Sequence, residues 1–412
     1  MRRRYSLIIV FSLLFLFITS TATVWSELPT TKPEDVGLSS ARLNIISATL
    51  KAHIEKGEIP GAVAMVVRDG KIAYFESFGM RDLETRLPMQ KDTVFQIYSM
   101  TKPITSVGLM MLHEQDRIHL GDPVSKYIPE FKELKVGAEG SELAKNQITI
   151  HDLLRHTSGL TYGFMGNSKI HQMYKEAGVG SYDQTLEEMV TKLSKLPLVS
   201  QPGTRWGHSR STDVLGRVIE VVSGMSLDKY FQDRILKPLK MNDTGFYVNP
   251  ALISWVAKPG PKAKWPSHYP TAPPKALLGG EGLVSTAHDY MRFLQMLMNN
   301  GQLDGVKLLG KNTVDYMTSD HLGNSISKKD LDYRYGEGIG FGLGFAVREN
   351  TGVVGVPGYV GDYTWIGGGG TSFFVSPSKK LCAIFMTQAN DPDIAAYYSR
   401  LMKTLVMAAI VD

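Results

Sequence analysis

Runs with strand character lie near both ends of this chain, and helical patterns occupy most of what separates them. Gly61-Ala-Val-Ala-Met-Val-Val67 and Lys71-Ile-Ala-Tyr-Phe75 flank Asp69-Gly70, a dipeptide suited to a tight hairpin. From about Gly338 strand-like sequence returns. Thr371-Ser-Phe-Phe-Val375 and Leu381 to Thr387 are joined by Pro377-Ser-Lys-Lys380. A helix is expected after Ser39-Ser40, with Leu43, Ile46, Leu50 and Ile54 on one face and Gly57 and Pro60 ending it. Asp391-Pro392 opens a last helix through Ile410, proline being suited to a first helical position. Strands drawn from both ends imply one sheet, with the helical lobe inserted between its halves.

A length of 412 residues allows one or two domains with a large core. Lys and Arg outnumber Asp and Glu by 45 to 40, and Arg2, Arg3 and Arg4 supply three of the excess. No basic stripe remains, so no nucleic-acid partner is expected. Those arginines precede an apolar run from Tyr5 to Ile18 and small or polar residues through Ser26. Residues 1–26 therefore read as a signal peptide cleaved after Ala22 or Ser26, placing the protein in the periplasm or outside the cell. Retained, the same segment would be the chain's membrane anchor. The single cysteine, Cys382, excludes an internal disulfide and reads as a buried small hydrophobe in a strand. Pro259 to Pro274 reads as an irregular excursion over the surface.

Chemistry concentrates at Ser99-Met-Thr-Lys102. A spacing of three on a helix puts the lysine one turn from the hydroxyl and on the same face. There it can take the serine proton or stabilise the alkoxide. The spacing alone decides little, because it recurs at Ser226–Lys229, Ser325–Lys328 and Ser376–Lys379. Context separates the four. Ser99 follows the extended-looking run Thr93 to Tyr98 and precedes Pro103 and the amphipathic Ile104, Val107, Met110 and Met111. The hydroxyl is thus expected at a helix start, where the dipole favours developing negative charge. The competing reading is a plain helix N-cap.

The longer run Gln96-Ile-Tyr-Ser-Met-Thr-Lys-Pro103 resembles the active-site segment of the serine β-lactamase and penicillin-binding protein superfamily. The class C enzymes and the family VIII carboxylesterases are the nearest in pattern. Leu153-Leu-Arg-His-Thr-Ser-Gly159, Asp213 to Glu220, Gly282 to Ala287 and Gly367 to Thr371 agree in order, so the resemblance covers roughly 35–410. It implies an α/β (α+β) fold of the β-lactamase/transpeptidase type, an antiparallel sheet from both chain ends flanked by helices. The sheet lobe would take in about 35–95 and 335–412, and the helical lobe about 96–334, all within one domain spanning 27–412. It also implies Ser99 as nucleophile with Lys102 beside it, and no cofactor.

The second motif departs from the family. Where a tyrosine usually exchanges protons, Trp206-Gly-His208-Ser209-Arg210 presents His208. A neutral imidazole is a competent base near neutral pH, so His208 is the candidate partner of Ser99. Arg210 stands where class C enzymes carry an amide and reads as a substrate-carboxylate ligand or a solvent-facing arginine. Asp213 reads as a helix cap. In the third motif Trp365-Ile-Gly367-Gly368 replaces the usual lysine-led triplet. By resemblance the N–H groups of Gly368 and Ser99 form the oxyanion hole. Trp365, with Gly367, would favour an apolar acyl or alcohol group over a β-lactam carboxylate.

Other chemistries find no support. There is no His-Glu-x-x-His helix, His151 and His156 being five apart, and His156 reads as a structural loop histidine. No Gly-x-Ser-x-Gly elbow occurs. The expectation is a serine hydrolase cleaving esters or small amides through an acyl-enzyme on Ser99. Two alternatives stand beside it: a D-amino-acid peptidase or β-lactamase on cell-wall-like substrates, and a non-catalytic relative that binds cell-wall fragments or a partner, motivated by His208.

Overall fold

Alternation along the first strand explains how the chain builds two cores from one sheet. In Gly61–Arg68 (β1) every residue is buried. Ala62, Ala64 and Val66 point into one apolar cluster, and Val63, Met65 and Val67 into another. A strand covered on both faces needs a continuous apolar run, which is what the sequence shows. The structure, a computed structural model, describes residues 28–137 and 142–412, apart from the side chains of residues 332–334. The signal-peptide reading of residues 1–26 falls outside the described residues.

After β1, Asp69 and Gly70 take φ of +51° and +72°, and the chain returns as Lys71–Asp82 (β2). Two positive φ values define the tight turn whose twist matches the flanking strands. Leu87–Pro88 (β3) extends this side. Phe95–Gln96 (β4) and Val284–Ser285 (β5) pair separately. From the C-terminal end come Ile339–Phe341 (β6), Ala346–Arg348 (β7), Tyr363–Gly367 (β8), Thr371–Ser376 (β9) and Leu381–Met386 (β10). The eight-stranded order is β6-β7-β8-β9-β10-β1-β2-β3, antiparallel throughout. The two chain ends meet at β10 and β1, with Val63 opposite Met386 and Val67 opposite Cys382. Cys382 is a buried strand residue, as its apolar setting predicts.

Ser40–Glu55 (α1) starts where Ser39 accepts a hydrogen bond from the Arg42 N–H, and buries Leu43, Ile46 and Leu50. Pro392–Ala408 (α6) lies beside it on the same face of the sheet, contributing Tyr398, Met402 and Val406. The inserted segment covers the other face. Its central helix, Thr101–Glu114 (α2), is buried from Thr101 through Leu112. Ile150–Leu154 (α3), Ser211–Ser223 (α4) and Ala287–Met298 (α5) surround it. Because α2 is buried on all sides, its polar side chains Thr101, Lys102, Thr105 and Ser106 need partners. Among the described residues no helix is long and apolar enough to cross a membrane.

The hairpin turn gives a direct check. A Gly70→Ala side chain would meet only Gln295 Oε1, 3.9 Å away, so its cost is the left-handed backbone alone. We expect Gly70→Ala to lower unfolding free energy by about 1–2 kcal/mol, read by denaturant titration.

Candidate active site

The nucleophile candidate sits on a strained turn. After β4 the chain makes one 3-10 turn, Tyr98–Met100, and then enters α2. Tyr98 takes φ of +44°, unusual for a bulky residue. Such a conformation persists where surrounding contacts impose it, and it clusters at functional sites. Here the Trp265 indole N–H donates to the Tyr98 hydroxyl at 3.1 Å. Ser99 is half-buried within this turn. The N-cap of α2 is Met100, so the plain-cap reading of Ser99 does not hold. Of the look-alike serines, Ser226 precedes the short helix Leu227–Phe231 and Ser325 is exposed. Ser376 closes β9 and is buried.

Lys102 is buried, and its ammonium group meets three oxygens: Ser99 Oγ at 2.9 Å, the Tyr162 hydroxyl at 3.1 Å and the Gly280 carbonyl at 2.7 Å. A carbonyl can only accept, so one N–H stays committed to Gly280. The two hydroxyls can each donate or accept, so a proton can pass among Ser99, Lys102 and Tyr162 without any heavy atom moving. Tyr162, which follows directly on the Leu153–Gly159 motif, was not among the residues picked out from the sequence. Its loop is held in place by a serine chain: Ser158 Oγ to Ser211 Oγ at 2.8 Å, and Ser211 to Ser209 at 2.8 Å. His156, with φ of +57°, continues that chain through Nδ1 to Ser209 Oγ at 3.3 Å, and its carbonyl accepts from the Gly207 N–H. The structural reading of His156 fits this setting.

Behind Lys102 lies a buried charge cluster. Arg210 is neither solvent-facing nor open to a substrate carboxylate: its guanidinium donates to Asp213 at 3.1 Å and Glu281 at 2.8 Å, and lies 4.6 Å over the Tyr162 ring. Burial opposes its charge, and Glu281 and Asp213 together more than offset that, holding its pKa above the ordinary value. Asp213, expected as a cap, is fully buried in the first turn of α4, and its Oδ1 accepts from the Gly280 N–H at 2.8 Å. Burial pushes its carboxyl upward, with Arg210 pulling it down and Glu281 raising it further. The segment Leu278 to Leu283 threads between α2 and α4. A Cβ on Gly279 would stand 2.8 Å from the Thr212 carbonyl, and one on Gly280 2.9 Å from Asp213 Oδ1. Glycine clusters signal such close backbone approach, and Gly279-Gly280-Glu281 could have been singled out on that ground.

Of the remaining candidates, His208 lines a cleft, whereas Trp365, Gly367 and Gly368 are not part of its lining. His208 meets the rings of Tyr162, His156 and Trp365 edge-on, at centroid distances of 5.2, 5.4 and 5.7 Å. With Trp206, Met165 and Ile366 it lines a cavity of about 510 Å³. Trp365 differs from the expectation of a substrate-facing side chain. It has no exposed surface and packs on Tyr335 and Phe341, because it occupies the inner face of β8 while Ile366 takes the cleft side. Gly367 ends β8 against the Ser99 turn, where a Cβ would stand 2.2 Å from the Ile97 carbonyl. Gly368 follows, and Trp265 lies 3.5 Å from where its Cβ would be. The 259–274 loop is irregular as expected, yet it is more than a surface excursion, since Trp265 walls this edge of the site.

His151 bonds to His321 at 2.9 Å and lies apart from Ser99; burial, then Arg155 and His321, push its pKa down to about 4. Among the described residues no group of His, Cys, Asp or Glu is arranged to hold a metal ion.

A serine gripped by a buried lysine at the head of a central helix, beside a strand ending in glycines, defines a serine hydrolase. Residues 46–404 match the Beta-lactamase family, and the chain belongs to it. An uncharacterized Mycobacterium tuberculosis protein is 34% identical over 368 residues, 84% of this chain and 90% of its own. The esterase EstB of Burkholderia gladioli is 30% identical over 389 residues, 87% of this chain and 93% of its own. The structure of EstCE1, described as a hydrolase with promiscuous acyltransferase activity, superposes with a TM-score of 0.74 at 25% identity, covering 89% of this chain and 98% of that one. The fold is accordingly the β-lactamase/transpeptidase fold read from the sequence.

The closeness of β8 to the Ser99 turn is testable. We expect Gly367→Ala to push the strand away from Ile97 and slow acylation of Ser99 by roughly 10²-fold or more, as loss of an oxyanion donor does. Stopped-flow acylation with an activated ester measures this.

Proposed function

We propose that this protein is a carboxylic-ester hydrolase working through an acyl-enzyme on Ser99. The observation that carries the reading is the 2.9 Å contact between Lys102 Nζ and a half-buried Ser99 hydroxyl. Lys102 in its neutral form takes the serine proton as Oγ attacks the ester carbonyl carbon. The N–H groups of Ser99 and Gly368 receive the oxyanion. As the carbon–oxygen bond to the alcohol breaks, the proton passes through Tyr162 and His208 to the departing alkoxide. Water, activated by the same groups, then attacks the acyl-enzyme and releases the acid. A second alcohol in place of water would give acyl transfer, a reactivity named for EstCE1.

Esters are favoured over cell-wall peptides or β-lactams because Arg210, the one cation suggested for a substrate carboxylate, already faces two carboxylates. The cleft beside His208 includes the apolar Leu160, Met165, Val199 and Ile366 alongside the charged Arg205, Asp330, Asp393 and Arg400. The name of EstB points the same way.

A fluorophosphonate probe should label the wild type and leave Ser99→Ala unlabelled; equal labelling of the two would sink the reading. p-Nitrophenyl esters should be turned over far faster than nitrocefin, and the reverse order would transfer the proposal to β-lactams. Tyr162→Phe and His208→Ala should each lower kcat by about 10²-fold, the range for loss of general acid–base help. Whichever variant keeps wild-type kcat is not part of the proton path. Export is proposed from the leader-like first 26 residues. N-terminal sequencing of the mature protein should then begin at Thr23 or Glu27, and an intact Met1 on secreted material would contradict cleavage.

A further inference from the structure

A single peptide unit links the buried charge cluster to the lysine of the site. The Gly280 N–H donates to Asp213 Oδ1 at 2.8 Å, and the Gly280 carbonyl accepts from Lys102 Nζ at 2.7 Å. Resting on the function proposed above, we infer that Asp213 is a positioning residue for Lys102, its carboxylate holding the Gly280 residue whose carbonyl fixes the lysine beside Ser99.

Three features support this. First, the approach is built into the backbone: any Cβ on residue 280 would lie 2.9 Å from Asp213 Oδ1, so only glycine lets the carboxylate reach the N–H undisturbed. Second, Asp213 has no exposed surface and has no task at the protein exterior. An isolated buried carboxylate is costly, and keeping one calls for partners that use its charge. Third, the groups facing Asp213 come from every neighbouring element. Arg210 lies on the same helix end, Glu281 on the glycine segment and Lys102 on α2, while Tyr162 lies under the Arg210 guanidinium. With Lys102 protonated, two cations and two carboxylates face each other; when Lys102 gives up its proton, one negative charge is left over. Asp213 thereby favours the protonated lysine as well as fixing its position.

The test uses the full-length enzyme and the pH dependence of p-nitrophenyl ester hydrolysis. Asp213→Asn keeps an oxygen for the Gly280 N–H but removes the charge. Its ascending kcat/KM limb is expected at lower pH than wild type by at least about half a unit, since an opposite charge nearby favours the protonated form. Asp213→Ala removes the grip as well and is expected to lower kcat at least about tenfold. A merely structural role would lower the yield of folded protein without moving the limb. Glu281→Gln takes a carboxylate from Arg210 but leaves the Gly280 hydrogen bond intact. If it matched Asp213→Ala in kcat loss and Asp213→Asn in limb shift, pairing with Arg210 would carry the effect, and the inference would be overturned. Superimposed profiles and kcat within twofold for the wild type and both Asp213 variants would overturn it too. Should the Asp213 variants fail to fold, Gly280→Ala forces the same separation and must reproduce the loss of kcat. A wild type that turns over no ester and takes no fluorophosphonate would overturn the proposed function and this inference together. An active wild type with indifferent Asp213 variants would overturn this inference alone.

Discussion

Burying the Lys102 ammonium inside the helical lobe is the constraint on which the rest of the site depends. A charged amine moved out of water without partners costs several kcal/mol or more. Lys102 meets this with three oxygens at 2.7–3.1 Å, each from a different part of the chain: the Ser99 turn, the loop after Leu160 and the glycine segment before β5. Moving any of the three disturbs the other two. The ammonium therefore acts as a tertiary joint as well as a chemical group, and its geometry is set by segments spread over 182 residues of sequence.

Close backbone approach makes that joint possible. Gly279 and Gly280 let the segment thread between α2 and α4, with Thr105 Oγ1 donating to the Gly279 carbonyl at 2.7 Å. Gly367 lets β8 lie against the Ile97 carbonyl, and Gly369 leaves room for the Tyr98 ring, which a Cβ would approach to 2.6 Å. The strained φ of Tyr98 is braced from both sides, by that glycine and by Trp265. The glycines are thus distributed where two backbones or a ring and a backbone must touch, and they give the site rigidity rather than freedom.

Much of the frame was legible beforehand. Apolar runs near both chain ends announced the strands of one sheet, Asp69-Gly70 announced the hairpin, and Pro392 the start of α6. Ser99 and Lys102 were legible through their flanking segments rather than through their spacing, which three other pairs share. Two side chains were misread for the same reason. Residue type makes Arg210 a carboxylate ligand or a solvent-facing arginine and Trp365 an apolar substrate wall, yet both are buried. Their partners, Glu281 and Phe341, lie 71 and 24 positions further along or back in the chain, and no local pattern announces such a pairing.

What the sequence by itself determined follows from local rules: apolar strand runs and helical patterning, turn chemistry, and a motif whose two members lie three residues apart. These depend on neighbours a few residues apart. The tertiary structure alone decided that Tyr162 meets Lys102, that Asp213 turns inward to Gly280 instead of capping α4, and that the Pro259–Pro274 loop brings Trp265 to the edge of the site. Each of these is a contact between residues distant in sequence, selected by the need to partner buried charge and fill space, and those demands arise only once the chain has closed on itself.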